Sequence, residues 1–465
     1  MYIEKLFSSP IAVTFDDIVV LPGYSDVEPH EVEIRSRFTR SIGVAIPIVS
    51  APMDTVTGEK LAMFLAGMGT IGVIHRHCSV DHQVKMVKNV KNADIYQQIP
   101  KISVDSKVEE IPKLLKMAPD DTALILDGDF IVGIARKFDI YLKEHSISHA
   151  EWNTVGDLVV FLREKQSMSI LLNLNGENVI VEIYFRPTRP LLDSDGRPMV
   201  AAAVSPFQKD RIREIDRHVD AIVFDVAHFH TERCLQAARE ITGIIESDLV
   251  VGNIGTYEAT EDIITSLEKV DGLRVGIGSG SICKTSVLTG IFAPTLFATI
   301  EAAEALHMYG LKIPIISDGG IRSASDALKA LVFGASCVMA GRFFAGCSES
   351  LGPLVKLDDR YYKMYRGMGS ASVKIESMLD RYSRVTKTVA EGVEGLVEYK
   401  GTVIWTLHEF SNQLRIAMGY AGARNIRDLR HARIAFILHG GRREMQPHDI
   451  IAMKTSEFLK NLASD

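Results

Sequence analysis

The stretch LRVGIGSGSICKT (residues 273–285) is an apolar, strand-like run that breaks into a loop rich in glycine and serine, which leads to a lone cysteine, Cys283. Glycine lets backbone amides and carbonyls turn inward without a Cβ clash, so such a loop can wrap around an ion or a phosphate. Loops at strand ends often carry chemistry, which makes Cys283 a candidate nucleophile. The alternative is a buried thiol that packs as a small hydrophobic side chain.

The run at 273–278 is one of eight short apolar runs in the chain, and helical patterns follow most of them. Continuous apolar runs are expected for strands that are buried on both faces of a parallel sheet. Eight β-α units predict an α/β fold of the TIM (β/α)8 barrel type, and a doubly wound open sheet is the alternative. The predicted strands are 46–51, 70–75, 200–205, 221–226, 249–254, 273–278, 314–319 and 337–341, and predicted helices include 58–68, 231–241 and 323–334.

The alternation fails between the second and third units, where residues 96–192 replace the usual short connection. Each half of this segment reads strand, helix, strand, turn, strand, and DGD (127–129) and NGEN (175–178) are typical of hairpin turns. We therefore predict a small inserted α+β domain at 96–192, called the insert below. The charged, proline-bearing RPTRPLLDSDGRP (186–198) reads as its linker. The barrel would then consist of 1–95 and 193–465.

A second long excursion follows the eighth predicted strand. It contains YYKMYRGMGS (361–370) and a polar stretch at 371–395. A long loop in a compact domain is typically a functional lid or a disordered segment, so we predict a flap at about 371–395. The segment 399–429 reads mostly as amphipathic helix and is expected to close the barrel.

The bulk composition excludes several classes of protein. The 465 residues carry a formal net charge of −7 and have a pI near 6.1, which provides no basic field for nucleic acid and no polybasic membrane patch. No stretch approaches the roughly 18 apolar residues of a membrane span, and we expect no signal peptide in MYIEKLFSSPIAV (1–13). The five cysteines are scattered without a CxxC pair, which favours free thiols in a reducing cytoplasm over disulfides or a zinc site.

Polar residues and glycines follow most of the predicted strands. A TIM barrel places its active site at the carboxyl ends of the strands, so these residues should meet at one mouth, although each alone could cap a loop. They are Asp54 after the first strand, Asp225 and His228 after the fourth, Asn253 at the fifth, Ser279, Ser281 and Cys283 after the sixth, Asp318, Gly319 and Gly320 after the seventh, and Gly341 and Arg342 after the eighth.

The last two of these strand ends indicate a phosphate site. The DGG sequence (318–320) and the AGR sequence (340–342) lie where TIM barrels often bind phosphate through backbone amides. Arg342 adds a planar cation suited to a phosphate dianion, and the alternative is a surface arginine in the first turn of a helix.

Six motifs together resemble the inosine-5′-monophosphate (IMP) dehydrogenase and GMP reductase superfamily, and IMP dehydrogenase in particular. The resemblance covers essentially the whole chain, and the insert lies where this family carries paired CBS modules. The motifs are FDDIVVLP (15–22), PIVSAPMDTVT (47–57), VGIGSGSICKT (275–285), ISDGGIR (316–322), YRGMGS (365–370) and DRY (380–382).

The resemblance implies NAD-dependent oxidation of IMP to XMP in guanine nucleotide biosynthesis, in a cytoplasmic homotetramer that depends on a monovalent cation such as K+. Cys283 would attack C2 of the purine, and Arg381 and Tyr382 of the flap would activate water, with Thr285 and Glu391 assisting. The implied nucleotide contacts are Ser281, Asp318, Gly319, Gly320, Gly341, Arg342, Tyr365, Gly367, Met368 and Gly369. Asp225, Asn253 and Gly276 would lie near the cofactor, and the carbonyls of Gly278, Gly280 and Cys283 would bind the cation.

Several positions depart from the dehydrogenase pattern and keep a CBS-containing GMP reductase open. Asp-Val-Ala at 225–227 and GCSES (346–350) resemble the reductase, Arg342 stands where a serine is common, Ala51 stands where some members have a serine, and the flap between Tyr382 and Glu391 is short. APMDTVT, YRGMGS and the Arg381–Tyr382 pair favour the dehydrogenase, because a reductase does not need a water-activating arginine.

A third interpretation is a purine-nucleotide sensor that has kept the fold and lost catalysis. The insert could bind an adenine nucleotide, because Asp139 resembles the ribose-binding aspartate of a CBS module. The second half of the insert offers no matching residue, and an intact Cys283 loop together with Arg381 argues against a sensor.

Overall fold

The eight apolar runs form eight parallel strands in the computed structural model, which describes residues 7–137, 147–148, 152–165, 167, 169–373, 390–448 and 450. From the second to the eighth, each strand pairs in parallel with the next in sequence, and the eighth pairs with the first. A parallel bridge between Ser50 and Gly72 joins the first two strands. The strands are β1 (Ile48–Ser50), β2 (Val73–Ile74), β3 (Ala201–Val204), β4 (Ala221–Phe224), β5 (Asp248–Ile254), β6 (Gly272–Val275), β7 (Ile315–Asp318) and β8 (Cys337–Ala340).

Successive side chains of each strand point alternately into the barrel and out towards the helices. In β5, Val250 packs in the inner cluster with Ile316 and Met339, whereas Leu249 and Val251 pack in the outer one. This alternation buries both faces of every strand, which is why the strands appear as continuous apolar runs. The TIM barrel prediction is confirmed, and the open doubly wound alternative is wrong.

Helices surround the barrel sheet and cover its outer face. Within the described residues, none of the helices combines the length and apolar character needed to cross a membrane. The α-helices of the barrel part are Glu59–Gly67, Val80–Lys91, Ile95–Gln98, Lys209–Asp216, Glu232–Thr242, Tyr257–Ser266, Thr285–Thr289, Thr295–Met308, Ala324–Val332, Arg342–Ala345, Val403–Tyr420, Ile426–Leu429 and His439–Glu444, with a 3-10 turn at Pro29–Glu31.

A six-stranded sheet lies between β2 and β3 in the chain. Its central pair, Phe130–Lys137 and Glu177–Thr188, is antiparallel and joins two similar halves. The strands, in spatial order, are Lys101–Ser103, Thr122–Asp127, Phe130–Lys137, Glu177–Thr188, Ser169–Leu174 and Ile147–Ser148. The helices of this part are Ile111–Lys116 and Val155–Glu164, with 3-10 turns at Val108–Glu110 and Pro119–Asp121.

The linker prediction for 186–198 is wrong at its start, because the long strand continues to Thr188. The pairing with the neighbouring strand shifts register between Ile183 and Thr188, and Pro187 lies within this irregular stretch. Proline lacks the backbone N–H of a regular ladder, so an irregular stretch can accommodate it where a continuous ladder could not.

The insert packs against a helix of the barrel part, Val403–Tyr420. The ring of His408 in this helix contacts the Glu182 carboxylate and stacks on Tyr184, with ring centroids 5.3 Å apart. The guanidinium of Arg136 lies 4.6 Å from the ring centroid of Trp405. Leu124, Leu126, Ile131 and Ile134 of the insert belong to the same apolar cluster as the barrel's outer layer. The insert is thus packed along one side of the barrel.

We predict that His408→Ala weakens this packing. The side chain is buried and touches both Glu182 and Tyr184, so its removal leaves a cavity and takes away a contact of the Glu182 carboxylate. Truncation of a buried ring costs about 3 kcal/mol, and the midpoint of thermal unfolding should fall by several degrees. Differential scanning calorimetry measures this, and the exposed His431 provides a matched control whose replacement by alanine should leave the midpoint unchanged.

The excursion after β8 contains regular structure that the sequence did not predict. The strands Leu354–Leu357, Arg360–Arg366 and Glu394–Glu398 form an antiparallel sheet, and the predicted flap lies between the last two. The chain then forms the long helix Val403–Tyr420. After this helix, the strand Ile434–Phe436 pairs with Ile18–Val20. A further strand pair is Ser36–Arg37 with Gly43–Val44.

Candidate active site

A cavity of about 460 Å³ lies at the carboxyl ends of the barrel strands, where TIM barrels have their active sites. This volume is typical of small-molecule sites. The described residues to which the family resemblance gives a catalytic, nucleotide, cofactor or cation role all line this cavity. These residues are Asp225, Asn253, Gly276, Gly278, Gly280, Ser281, Cys283, Thr285, Asp318, Gly319, Gly320, Gly341, Arg342, Tyr365, Gly367, Met368, Gly369 and Glu391.

Two of the polar residues predicted at the mouth do not line the cavity. Asp54 accepts hydrogen bonds from Arg366 instead, at 3.0 Å from Nε and 2.5 Å from Nη2. The ring of His228 packs edge-on against His230. Arg381 and Tyr382 lie outside the described residues. Convergence on one mouth therefore holds for the remaining strand ends.

The loop before Cys283 is shaped by glycines with left-handed backbone conformations. Gly276 has φ +119°, and a Cβ there would lie only 2.4 Å from the carbonyl oxygen of Asp318, so only glycine fits. The N–H of Cys283 donates to the Gly280 carbonyl at 2.9 Å, which closes the loop into a turn. An antiparallel bridge between Cys283 and Gly392 ties the loop to the end of the predicted flap. The thiol is thus presented to the cavity by a tightly turned backbone.

A chain of hydrogen bonds joins the Cys283 thiol to a carboxylate. The sulfur lies 3.3 Å from the Thr285 hydroxyl oxygen, which lies 2.9 Å from Oε2 of Glu391. The backbone N–H of Lys284 donates to the Glu391 carbonyl at 2.7 Å and holds this residue beside the loop. The hydroxyl can accept the thiol proton while it donates its own to the carboxylate. We call Cys283, Thr285 and Glu391 the relay.

The other cysteines are less suited to nucleophilic chemistry. Cys234, Cys337 and Cys347 are buried, and burial raises the pKa of the Cys347 thiol to about 12. Cys78 is partly exposed, but burial of its sulfur still raises its pKa to about 11. Because the thiolate is the reactive form, the raised pKa values leave the Cys78 and Cys347 thiols unreactive near neutral pH. Cys283 alone among the described cysteines lines the cavity.

A second part of the cavity wall has the features of an anion site. Gly319 and Gly320 have φ values of +97° and +74°, which turn the loop after β7 towards the cavity. Within the described residues Arg342 forms no salt bridge, although it lines the cavity. Burial raises the pKa of Tyr365 to about 12, so its hydroxyl remains a neutral donor. An arginine without a carboxylate partner beside glycine amides is well suited to a phosphate.

A row of charged side chains crosses the mouth, and sequence reasoning missed two of its members, Arg274 and Arg76. Arg274 donates to Asp225 at 2.7 Å and to Asp318 at 2.8 Å, and Arg76 donates to the other oxygen of Asp225 at 3.2 Å. Asn253 donates to Asp318 at 2.9 Å. The sequence did offer a signal for Arg274, because it is the one charged residue in an apolar strand and a buried charge requires a counter-charge.

Charge pairing dominates the ionisation of this row. Burial by itself would raise the pKa of the Asp225 carboxyl, but the Arg274 and Arg76 guanidiniums hold it below its usual value. Burial likewise opposes the charge on Arg274, and the two aspartates raise its pKa above the ordinary value. Asp225 is therefore ionised around neutral pH and can accept hydrogen bonds from a ligand.

Both ends of the predicted flap are anchored near the mouth. Arg366, which binds Asp54, also donates to the Ser372 hydroxyl at 2.9 Å, and the backbone N–H of Ser372 donates to Glu394 at 3.0 Å. The two ends of the flap therefore meet beside the relay, since Glu391 of the relay lies three residues before Glu394 in the chain.

Comparisons with known proteins agree with this geometry. A family model described as the IMP dehydrogenase / GMP reductase domain matches residues 12–448. Inosine-5′-monophosphate dehydrogenase from Korarchaeum cryptofilum is 39% identical, over 94% of this chain and 97% of its own length. The protein of that name from Thermoplasma acidophilum is 39% identical, over 97% of this chain and 97% of its own length. The one from Methanocaldococcus jannaschii is 35% identical, over 97% of this chain and 98% of its own length.

A solved structure with the same fold is a cysteine-to-alanine variant of GMP reductase from Trypanosoma brucei in complex with guanosine 5′-monophosphate. It superimposes with a TM-score of 0.71 at 28% sequence identity, over 96% of this chain and all of that chain. The sequence relatives and the structural neighbour thus represent the two activities of one superfamily.

Proposed function

The chain belongs to the IMP dehydrogenase / GMP reductase family and is an oxidoreductase, and on that premise we propose that it oxidises IMP to XMP with NAD and water. The observation that carries the proposal is the relay: a thiol at a cavity of nucleotide size, hydrogen-bonded through Thr285 to Glu391. The names of the sequence relatives support the dehydrogenase over the reductase.

The relay prepares the nucleophile and receives its proton. As the Cys283 sulfur attacks C2 of IMP, its proton passes to the Thr285 hydroxyl, whose own proton passes to Glu391. The resulting covalent adduct splits one difficult step into two easier ones. When bound, NAD supplies the acceptor for the hydride that leaves C2. Asp225 and Asn253, with Gly276, are the residues that we propose to hold it, because a carboxylate and an amide can bind ribose hydroxyls.

The nucleotide itself is held by further residues of the cavity wall. We assign the phosphate to Arg342 with the amides of Gly319, Gly320 and Gly341, and the ribose hydroxyls to Asp318. The remaining contacts, with base and phosphate, are assigned to Ser281, Tyr365, Gly367, Met368 and Gly369. Asn253 also donates to Asp318, so the ribose site and the cofactor site share a hydrogen bond.

Hydrolysis of the adduct requires a base and a closed site. We assign water activation to Arg381 and Tyr382 on the basis of the sequence resemblance, with Thr285 and Glu391 assisting. The anchored flap ends place Glu391 next to Cys283, which supports this assignment. Such a flap usually excludes water during the first step and admits it in the second.

The turned loop also suits a monovalent cation such as K+, and we assign it to the carbonyls of Gly278, Gly280 and Cys283. Backbone carbonyls are the ligands that K+ prefers. Within the described residues no group of three or more histidine, cysteine or acidic side chains could hold a metal ion.

We further propose that the protein is a cytoplasmic homotetramer and that residues 96–192 form a CBS-type insert. The ligand that we propose for the insert is an adenine nucleotide bound with Asp139, which lies outside the described residues.

The second candidate function is reduction of GMP to IMP with NADPH, with release of ammonia. The Asp-Val-Ala sequence at 225–227 and the GMP reductase neighbour favour it. The insert does not decide between the two activities, because an alignment over 96% of this chain must include most of residues 96–192. A sensor without catalysis is disfavoured by the intact relay.

One assay separates these functions. The protein is incubated with IMP and NAD, and separately with GMP and NADPH, while the absorbance of the reduced nicotinamide is followed. Formation of NADH with IMP supports the proposal, and consumption of NADPH with GMP alone would overturn it. Inactivity in both mixtures with intact nucleotide binding would favour the sensor.

We predict that Arg342→Ala raises the KM for IMP by about 10- to 100-fold and changes kcat less, because a charge-assisted hydrogen bond contributes about 1.5–3 kcal/mol. Steady-state kinetics with varied IMP measure this. Inosine, which lacks the phosphate, should be an equally poor substrate for parent and variant.

Arg322 offers a matched control for this prediction. It lines the same cavity, but it pairs with Asp16 at 2.5 Å and with Asp326 at 3.1 Å, so its charge is already neutralised. Arg322→Ala should leave the KM for IMP almost unchanged. An unchanged KM in Arg342→Ala would remove Arg342 from the phosphate site.

A further inference from the structure

Arg274 occupies an unusual position inside the barrel. In β6, Leu273 and Val275 point outward into the apolar layer beneath the helices, so Gly272 and Arg274 face the interior. The interior is otherwise apolar at this level and includes Val250 and Ile316. The Arg274 side chain is only 8% exposed. A full positive charge is thus buried between the barrel core and the cavity.

Stability does not explain this charge. Removing a guanidinium from water costs several kcal/mol, and well-packed hydrophobic residues often replace a buried ion pair without loss of stability. Arg274 is nevertheless matched by carboxylates on both sides, Asp225 at the end of β4 and Asp318 at the end of β7. Both carboxylates line the cavity, and Arg274 lines it between them.

The guanidinium fixes both carboxylates at once. Its planar fork directs Nη1 to one oxygen of Asp225 and Nε to one oxygen of Asp318, which sets the separation and the tilt of the two groups. The second oxygen of Asp225 accepts a further hydrogen bond from Arg76 at 3.2 Å. Moving either carboxylate would therefore break a short charge-assisted bond in a poorly solvated site.

We propose that Arg274 is a positioning residue that holds the nucleotide and the cofactor at the distance and angle needed for hydride transfer. The inference rests on the proposed function, in which Asp318 binds the ribose of the nucleotide and Asp225 that of the cofactor. A single side chain then links the two ribose sites. Misplacement of reacting groups by about 1 Å can cost 10²-fold in rate, so a rigid link between the sites has a direct kinetic effect.

The test compares Arg274→Lys and Arg274→Gln in the full-length protein. Lysine retains the charge but as a point charge that cannot reach both carboxylates with fixed geometry, and glutamine removes the charge. The dissociation constants of IMP alone and of NAD alone are measured by calorimetric titration, and the first-turnover rate of NADH formation is measured by stopped flow. We expect the first-turnover rate to fall about 100-fold in both variants, while each dissociation constant changes less than about 5-fold.

Lys91 provides a matched control at the other end of the barrel. It also bridges two aspartates, Asp193 and Asp220, each at 2.8 Å, and its side chain is 10% exposed. Lys91→Gln removes a buried cation as Arg274→Gln does, and it should leave the first-turnover rate unchanged. Any general effect of removing a buried cation is thereby separated from positioning.

Three outcomes would overturn the inference. They are a rate in Arg274→Lys within about 3-fold of the parent, affinities that fall by the same factor as the rate, and an equal loss of rate in Lys91→Gln. If the parent forms no NADH and instead transfers hydride from NADPH to GMP, the proposed function fails by itself. The same comparison of rate with affinity, made with GMP and NADPH, then still decides the role of Arg274.

Discussion

Cys283→Ala is expected to abolish hydride transfer, with a loss of at least about 10⁴-fold in the rate of NADH formation. The variant lacks the sulfur that must attack C2, and no other described cysteine lines the cavity. Removal of a small side chain that is already partly exposed should leave the nucleotide affinity within a few-fold of the parent.

Two measurements check this prediction. Absorbance at the nicotinamide band follows turnover, and intact-protein mass spectrometry after an acid quench detects the covalent nucleotide adduct, which should form in the parent and be missing in the variant. Cys78→Ala is the control, because Cys78 is also partly exposed but lies outside the cavity lining, and its thiol should be dispensable. Retained turnover in Cys283→Ala would remove the nucleophile role.

The barrel was predictable from the sequence because its strands are buried on both faces. A run such as AIVF at Ala221–Phe224 has no polar alternation, and only a covered parallel sheet accepts eight such runs. The sheet formed by Leu354–Leu357, Arg360–Arg366 and Glu394–Glu398 was missed for the opposite reason. Its strands carry many exposed and charged residues, and two of them are separated by the flap.

The site was predictable only in part, and for a related reason. Residues such as Asp318 and Cys283 stand at strand ends, where topology alone brings them to one mouth. Arg274 lies inside a strand, and its role depends on which way its side chain points. That direction follows from the alternation of Leu273, Arg274 and Val275 in the folded barrel. Asp54 shows the converse, since it stands at a strand end and yet pairs with Arg366 away from the cavity.

The packing of the insert on the barrel was also beyond sequence reasoning. His408 and Glu182 are separated by a large part of the chain, and neither belongs to a recognisable motif. The face of the insert sheet that meets Val403–Tyr420 combines apolar residues such as Leu124 and Ile134 with Glu182, and this pattern alone does not identify the helix that covers it. Only the folded chain identifies which helix covers it.

Glu391→Gln is expected to slow hydrolysis of the adduct by about 10²- to 10³-fold, which is the usual contribution of a general base, and to slow hydride transfer less, because the partly exposed Cys283 thiol can also lose its proton to water. Glutamine keeps a hydrogen bond to Thr285, which lies 2.9 Å from the carboxylate in the parent, but it cannot accept a proton. The first turnover should then release one NADH per active site as a burst, followed by slow steady-state turnover. The adduct should accumulate and be visible by intact-protein mass.

Thr285→Val and the double variant test whether the relay acts as one unit. If the proton must pass through the Thr285 hydroxyl, either replacement breaks the same path, and the double variant should be no slower than the worse single variant. Losses that multiply would mean that Thr285 and Glu391 act separately. If the steady-state rate of Glu391→Gln falls by the same factor as the burst rate, Glu391 acts only in activation of the Cys283 thiol. The water step would then depend on Arg381, and Arg381→Ala should still trap the adduct.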